Sequence, residues 1–217
     1  MLDTVKRESI YQPRQPGLKF PEKPVFATHA EERRHRQQRL VAACRAFAVH
    51  GLDYGFAGHL TIRDPEHPEL YWTNPMAVHF AQVRLGNLIL ADHKGRVVQG
   101  SHAINRAGFV LHAAVHEAHP DILAMCHAHT VYGVAYAALG RPLPPVTQDA
   151  CAFFEDHVVI SDEGGKVAVE EQAGHNFAAA FKGVKAAIHQ NHGLITASRH
   201  SIEAAAFWFI ALERCCQ

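Results

Sequence analysis

The sequence predicts an α/β domain in which helices pack on a mostly antiparallel sheet. Segments with strand and helix periodicity alternate along the 217 residues, and several neighbouring strands are close enough to form hairpins. Apolar residues make up 48% of the chain, which is enough for a sizeable core. Because the interior shows neither a repeat nor a clear linker, we place one domain over residues 28–217, after an extended, polar and Pro-rich arm over residues 1–27.

The first half of the chain predicts two helices separated by two hairpins. Thr28 and Glu31 have the spacing of a capping box, and apolar residues at helical spacing continue to Gly51, a C-terminal cap. A second amphipathic helix, around residues 107–115, is stopped by Pro120. The strands between these helices are predicted over residues 59–63 and 69–73, and over residues 87–91 and 96–99.

The second half of the chain predicts alternating strands and helices. The last two strands flank a tight turn, Gln-Asn-His-Gly at residues 190–193. Strands are predicted over residues 122–127, 157–160, 184–189 and 194–196, and helices over residues 130–139 and 167–181 and from about Ser201 onward.

Charge and composition exclude several classes of function. Lys plus Arg equal Asp plus Glu at 21 each, so no basic field exists to bind nucleic acid. No run approaches the roughly 20 apolar residues of a membrane span, and the N-terminus lacks the apolar core of a secretory signal, so we expect a cytoplasmic location. The five cysteines are odd in number and form no CxxC pair, which indicates reduced thiols.

Two histidine motifs are candidates for a metal site. His127 and His129 lie two residues apart at the end of a predicted strand, where both imidazoles point to one face and can chelate one ion. His192 lies in the tight turn before Gly193 and becomes the natural third ligand when paired with them. Because the chain contains 18 histidines, chance pairing and a surface location for His192 are the alternative interpretations.

Three stretches of sequence resemble the class II aldolase/adducin superfamily, with a stronger likeness to its adducin-like branch. They are GHLTIRDPEHPELYWTNPMAVHF, NRAGFVLHAAVHEAHPDILAMCHAHT and QNHGLITASRHSIEAAAFWF. The resemblance implies a three-layer α/β/α sandwich around a mostly antiparallel central sheet, and a homotetramer with sites between subunits. It also implies one divalent metal ion on His127, His129 and His192. Zinc is the usual metal of the family, and Fe(II), Mn(II) and Co(II) are alternatives.

The sequence departs from the family's sugar-phosphate aldolases at three places. Those enzymes carry a metal-binding Glu four residues before the His of the helix that precedes His-x-His. Here His112 matches that His, and the residue four positions earlier is Gly108. Their phosphate-binding Gly-Asn is Gly58-His59, and their Thr-Pro-x-Gly loop is Thr-Asn-Pro-Met at residues 73–76. These differences argue against cleavage of a phosphorylated sugar.

Glu155 and His59 are the candidate catalytic residues. Glu155, with Asp156 and His157, follows the loop PPVTQDACAFF and is the first candidate to replace the missing carboxylate. His59 and His79 are candidate proton carriers, because a His with a neutral pKa suits general acid–base work. The alternative for each of these residues is a surface location.

His112 and His116 are spaced i, i+4 on one predicted helix, a spacing that can chelate a metal. The metalloprotease motif requires a Glu directly after the first His, and Ala113 stands there instead. We therefore expect His112 to be buried or to lie beside the metal ligands, and His116 to be exposed. The aromatic residues 207–209 are expected to pack against another element or another subunit.

Three functions stay open from the sequence. The first is a metal-dependent lyase that performs aldol-type cleavage or decarboxylation of a small, non-phosphorylated hydroxy or keto acid or carbonyl substrate, with the metal as Lewis acid. The second is a non-haem Fe(II) oxygenase that oxidatively decarboxylates a 2-oxo acid, as one branch resembling the family does. The third is a non-catalytic, adducin-like scaffold.

Overall fold

An eight-stranded sheet forms the middle layer of the protein. The computed structural model describes residues 15–20, 22–161 and 171–217. The strands in chain order are β1 (His59–Arg63), β2 (Leu70–Thr73), β3 (Ile89–Asp92), β4 (Val97–Gln99), β5 (Ala124–Ala128), β6 (His157–Ile160), β7 (Ala186–His189) and β8 (Gly193–Ser198). Across the sheet they follow the order β4-β3-β2-β1-β5-β8-β7-β6, and every neighbouring pair is antiparallel except the parallel pair of β6 and β7.

Helices cover both faces of this sheet. They are α1 (His29–Val49), α2 (Arg106–Ala118), α3 (Val131–Ala137), α4 (Gln148–Cys151), α5 (Glu171–Phe181) and α6 (Ile202–Cys216). One apolar cluster joins α1, α3, α4 and α6 to one face, and a second joins α2 and α5 to the other. The three-layer α/β/α sandwich around a mostly antiparallel sheet is therefore confirmed.

The alternation of side chains along β5 decides which residues face which layer. Ala124, Cys126 and Ala128 belong to the cluster under α1 and α6, whereas Met125 belongs to the cluster under α2 and α5. Since successive strand residues point to opposite faces, His127 lies on the same face as Met125. The imidazole of His127 is thereby directed toward the layer of α2.

The helix caps form where the sequence predicts them. Thr28 and Glu31 make both hydrogen bonds of a capping box at the start of α1, and Gly51 follows its end with a φ of 66°. Ser201 caps α6 by accepting a hydrogen bond from the amide of Ala204. Each cap satisfies backbone groups that the helix itself leaves unpaired.

Some predicted boundaries differ from the observed ones. The short helix α4 and two 3₁₀ turns, Phe80–Gln82 and Leu85–Asn87, have no counterpart in the prediction. Residues 167–170 of the helix predicted over residues 167–181, and residues 1–14 and 21 of the predicted arm, lie outside the described residues.

The described part of the chain also includes all of the cysteines and the helices that could be tested for a membrane span. All five cysteines are unpaired thiols. No described helix has both the length and the apolar character that a membrane span requires.

Candidate metal centre

Three histidines meet at one end of the central strands. His127 is the next-to-last residue of β5, His129 lies just beyond it, and His192 lies in the turn between β7 and β8. One ligand nitrogen of each ring lies within 4.8 Å of the others. The ring centroids are 5.0 Å apart for His127 and His129, 4.8 Å for His127 and His192, and 4.9 Å for His129 and His192. The structure thus brings together the three predicted ligands.

Strand pairing and one tight turn bring the three histidines together. β5 runs antiparallel to β8 with His127 opposite Ile195, so the end of β5 lies beside the start of β8. The turn before β8 is compact because Asn191 and Gly193 adopt positive φ angles of 60° and 149°. Glycine and asparagine tolerate such angles best, and the turn projects His192 back over the end of β5.

Hydrogen bonds fix the orientation of two of these rings. The Nδ1–H of His127 donates to the carbonyl of Leu194 at 2.8 Å. Because a carbonyl can only accept, the proton of the neutral ring lies on Nδ1, and Nε2 keeps its lone pair. The Nδ1 of His192 lies 3.1 Å from the Nδ1 of His189, and this contact helps to orient the His192 ring.

The environment keeps these imidazoles neutral. Burial lowers the pKa of His127 well below its ordinary value, with further lowering from His192, His59 and His129. Burial also lowers the pKa of His129, and burial with His189 and His129 lowers the pKa of His192 to about 3. Neutral imidazoles with free lone pairs are the form that binds Zn²⁺, Fe²⁺ or Co²⁺, so the donor set fits a divalent metal ion.

His59 occupies the space beside Gly108. His59 lies opposite His127 in the pairing of β1 with β5, and its ring centroid is 5.3 Å from that of His127. A Cβ added at Gly108 would lie 2.3 Å from Cε1 of His59 and 2.5 Å from its Nδ1. No side chain at position 108 can coexist with His59 in this position. The position of the His59 ring therefore requires a glycine at position 108.

The imidazole of His59 is buried beside the backbone of Gly108. Neither of its nitrogens has a partner of normal geometry among the described residues. Burial lowers its pKa well below the ordinary value, followed by repulsion from His112, His192 and His129, while the backbone of Gly108 opposes this lowering. A buried polar group without a partner costs free energy, and such groups are often retained for function.

His116 is buried, so the prediction that it is exposed is wrong, whereas His112 is buried as expected. The α2 helix is covered by α5 on one side and the sheet on the other, and His116 stacks on Tyr71 with ring centroids 4.6 Å apart. Its polar atoms are satisfied by the hydroxyl of Thr61 at 2.9 Å and the carbonyl of Ile122 at 3.2 Å. The i, i+4 spacing with His112 is the sequence signal that both rings face the sheet.

Glu155 does not join the histidine cluster within one chain. It is exposed in the turn before β6, at a φ of 58°. β6 begins opposite Ala186 and ends opposite His189, and the cluster lies at the His189 end. At about 3.3 Å per strand residue, the length of β6 separates Glu155 from the cluster.

The other predicted titratable residues make structural contacts. His157 donates to the carbonyl of Phe153 at 2.7 Å and accepts from the amide of Leu143 at 3.0 Å. Asp156 accepts from the backbone amide of Lys185 at 3.0 Å and lies 3.2 Å from its ammonium group. His79, exposed at the surface, lies 2.6 Å from a carboxylate oxygen of Asp53.

Glu213 is a supporting residue that the sequence does not reveal. It is buried in α6, and its carboxylate accepts hydrogen bonds from the Thr130 hydroxyl and from the amides of Tyr132 at 3.0 Å and Gly133 at 2.8 Å. These amides belong to the first turn of α3, which begins directly after His129 and Thr130. Glu213 thus caps α3 and holds the segment that carries His129.

Residues 38–217 match the family model described as Class II Aldolase and Adducin N-terminal domain. The chain belongs to this family. The match spans the whole histidine cluster and confirms the resemblance of the sequence motifs.

Three relatives illustrate the family membership. "Decarboxylase NovR" of Streptomyces niveus is 44% identical over 91% of this chain and 73% of its own length. "4-hydroxy-3-prenylphenylpyruvate oxygenase/4-hydroxy-3-prenylbenzoate synthase" of Streptomyces roseochromogenus subsp. oscitans is also 44% identical, over 91% of this chain and 71% of its own. The structure of "L-fuculose 1-phosphate aldolase from Glaciozyma antarctica PI12" matches with a TM-score of 0.83 and 42% identity, covering 90% of this chain and 76% of that one.

Proposed function

We propose that this lyase-type enzyme is a metal-dependent decarboxylase of a small, non-phosphorylated hydroxy or keto acid. The observation that supports this proposal most strongly is a cluster of three neutral imidazoles. Gly108 and His59 stand beside it where the aldolases are expected to have a carboxylate. The names of the two relatives at 44% identity, a decarboxylase and an oxygenase/benzoate synthase, support the same chemistry. Decarboxylation fits better than cleavage of a sugar phosphate, because His59 also stands where the aldolases have a phosphate-binding Asn.

The histidines have distinct roles in this proposal. A divalent ion on His127, His129 and His192 would act as a Lewis acid for the negative charge that develops on substrate oxygens. His59 lies beside these ligands and is the buried titratable group that can deliver a proton to the carbon that loses carbon dioxide. We assign proton transfer to His59 rather than to Glu155, since Glu155 lies at the far end of β6.

Oxidative decarboxylation of a 2-oxo acid, with Fe(II) and dioxygen as co-substrate, is the second candidate. Three imidazoles without a carboxylate leave positions for both substrate and dioxygen, and one relative at 44% identity is named an oxygenase. The adducin-like scaffold is not favoured by any feature of the described residues, and the enzyme names of the relatives support catalysis.

Metal content tests the site. We expect about one zinc, iron, manganese or cobalt ion per purified wild-type chain and its loss from His129→Ala, measured by elemental analysis. His93→Ala removes an exposed histidine and Glu155→Gln removes the distant carboxylate, so both should keep the metal. A wild type that stays metal-free after supplementation, or equal retention in His129→Ala, would contradict the proposed site.

Oxygen uptake separates the two decarboxylation routes. The metal-loaded protein is incubated with phenylpyruvate as an aromatic 2-oxo acid probe, and carbon dioxide release and oxygen uptake are recorded together. Release without uptake supports the lyase, and matched uptake by an iron-loaded sample supports the oxygenase.

A further inference from the structure

We propose that a cavity at the end of the sheet opposite the histidine cluster binds a small organic acid with a flat apolar body and one or two negative charges. The cavity has a volume of about 750 Å³, which lies in the usual range of small-molecule sites. It is lined by the segment at residues 22–26, by one face of α1, and by the chain at the ends of β1, β5 and β8.

This cavity is separate from the histidine cluster. Arg63 ends β1, Leu123 precedes β5 and Arg199 follows β8, and all three residues line the cavity. His59 begins β1 and His127 lies near the end of β5, so both are at the other end of these strands. Four residue steps at about 3.3 Å each separate the two ends by about 13 Å. A ligand in the cavity therefore contacts none of the proposed metal ligands.

The lining of the cavity has more positive than negative side chains. Its five cationic side chains are Lys23, Arg36, Arg39, Arg63 and Arg199, and its four carboxylates are Glu22, Glu32, Asp121 and Glu203. Three of the carboxylates form ion pairs with arginines of the same lining, namely Glu32 with Arg36, Glu203 with Arg39 and Asp121 with Arg199. One positive charge is left over, and an acidic ligand would balance it.

Arg63 is the most buried of these cations. Its side chain is buried, and its guanidinium donates to the backbone carbonyls of Pro68, of His116 at 2.7 Å and of Ile122 at 3.2 and 3.3 Å. The described residues thus give it carbonyl dipoles as partners rather than a carboxylate. A buried cation of this kind attracts an anion more strongly than a surface cation does, because less water screens its charge.

Two other arginines have N–H groups to spare beside the cavity. Among the described residues, Arg39 uses only its Nε, which donates to Glu203. Arg199 uses its Nε for Asp121 and one terminal nitrogen for the carbonyl of Gly183 at 2.7 Å. Both terminal nitrogens of Arg39 and one of Arg199 are left for a ligand. Planar guanidinium N–H groups match the oxygens of a carboxylate or a phosphate, so these two groups are the shared chemistry of the expected ligand.

The remaining wall of the cavity suits an apolar body. Apolar side chains contribute to the lining on several sides, and they are Pro24, Phe26, Ile62, Pro120 and Leu123. The ring of Phe26 packs on that of His35, another lining residue, with centroids 4.9 Å apart. Apolar walls with a few charged groups are typical of sites for small organic molecules. The ligand class is therefore an aromatic carboxylic acid or an aromatic phosphate ester.

Hydrogen bonds between the walls hold the cavity in shape. The guanidinium of Arg36 donates to the carbonyl of Arg63 at 2.6 Å, which joins α1 to the end of β1. The ammonium group of Lys23 donates to the carbonyl of His200 at 3.2 Å, which joins the segment at residues 22–26 to the chain after β8. A site that is already formed loses less conformational freedom when a ligand binds.

Isothermal titration calorimetry of the full chain tests the site. Benzoate and phenyl phosphate are the probes, because they distinguish a carboxylate from a phosphate on the same ring, and neutral benzamide is the matched control. We expect at least one acid to bind saturably, more tightly than benzamide and more weakly as salt is added. His129→Ala should bind the acid as the wild type does, since the cavity lies away from the metal centre.

Two substitutions in one ion pair should change the affinity in opposite directions. Arg39→Gln removes a guanidinium and should weaken binding of the acid about tenfold. Glu203→Gln removes the carboxylate that competes for this guanidinium and should tighten binding by about two- to fivefold. Arg199→Gln repeats the first test if Arg39→Gln does not fold. Arg96→Gln removes an exposed arginine paired with Asp92 outside the cavity and should leave the affinity unchanged.

The outcomes separate this inference from the proposed function. Absence of saturable binding for both acids, or equal binding of benzamide, would overturn the inference. Equal losses in Arg39→Gln and Arg96→Gln would overturn it as well, and so would loss of binding in His129→Ala, which would assign the acid to the metal centre. A wild type that binds the acid but stays metal-free after supplementation would instead count against the proposed function and leave this second site standing.

Discussion

The close approach of His59 to Gly108 shows how a residue without a side chain can make room for another group in a buried site. Gly108 is in α2, where a glycine costs roughly 0.5–1 kcal/mol relative to alanine. That cost is tolerated because the ring of His59 fills the place of the missing side chain. A neutral imidazole therefore fills the space beside Gly108.

Gly108→Ala tests the close contact with His59 through the free energy of unfolding. The new Cβ would overlap the buried ring of His59, and overpacking of about 1–3 kcal/mol should exceed the helix gain of about 1 kcal/mol. Urea unfolding should therefore show a net loss. In the background of His59→Ala the overlap is gone, so the same substitution should become stabilising. Gly86→Ala has open space around its Cβ and is the control. Equal effects in both backgrounds would show that the His59 ring is not the obstacle.

At the scale of elements, local patterns are predictable and long-range contacts are not. The capping box at Thr28, the strand at residues 59–63 and the strand at residues 157–160 follow from short-range chemistry and are observed as predicted. The burial of His116 depends on a hydroxyl from β1 and could not be inferred from its helix alone. The histidine cluster was predictable because His-x-His and the turn of His192 each have a recognisable local form.

The cap of α3 by Glu213 depends on the packing of α6 and is tested by Glu213→Gln. An amide presents fewer acceptors to the three donors of Thr130, Tyr132 and Gly133, so we expect the free energy of unfolding to fall by about 1–3 kcal/mol. Hydrogen exchange of the Tyr132 and Gly133 amides should accelerate.

The control for this substitution is Glu203→Gln in the same helix. Glu203 forms a surface ion pair with Arg39, and such pairs contribute about 0–1 kcal/mol. Similar losses in the two variants, or unchanged exchange at α3, would argue that Glu213 is not the cap.

For the whole molecule, Asp64 connects the outer helix α1 to the sheet. Its carboxylate accepts from Arg33 of α1 at 2.7 and 3.0 Å, from the indole N–H of Trp72 at 2.8 Å and from the amides of Glu66 and His67 at 3.0 Å. Burial alone would raise the pKa of Asp64, but these hydrogen bonds outweigh it and hold the pKa well below its usual range.

Acid should therefore weaken the fold through Asp64. The unfolded chain binds the proton near the ordinary pKa of about 4, so the stability that the carboxylate supplies is present above that pH and is lost as pH falls toward the depressed folded pKa. We expect Asp64→Asn to lower the free energy of unfolding by about 2 kcal/mol at pH 7, and the difference from wild type to shrink below pH 4.

Urea unfolding across pH 3–7 measures this convergence. Asp121→Asn, which breaks a solvent-exposed pair with Arg199, is the control and should have a small effect at every pH. A constant difference between Asp64→Asn and wild type would contradict a role of the carboxylate charge.

The homotetramer expected from the resemblance stays a prediction. Within one chain Phe209 is buried, whereas Phe207 is 60% exposed and Phe154 is 58% exposed. Apolar side chains of this size at the surface are where contacts with other subunits would be sought first.

The order of strands in the sheet has a consequence for the time course of folding. β3 with β4 and β7 with β8 are hairpins of neighbouring sequence, and they can close early. The central seam, where β5 pairs with β8, is different. There His127 bonds to Leu194, a residue 67 positions away, and closing so long a loop is slow. His127 and His192 lie on opposite sides of this seam. A half-folded chain therefore holds only a fragment of the cluster, and the complete set of imidazoles arises together with the native sheet.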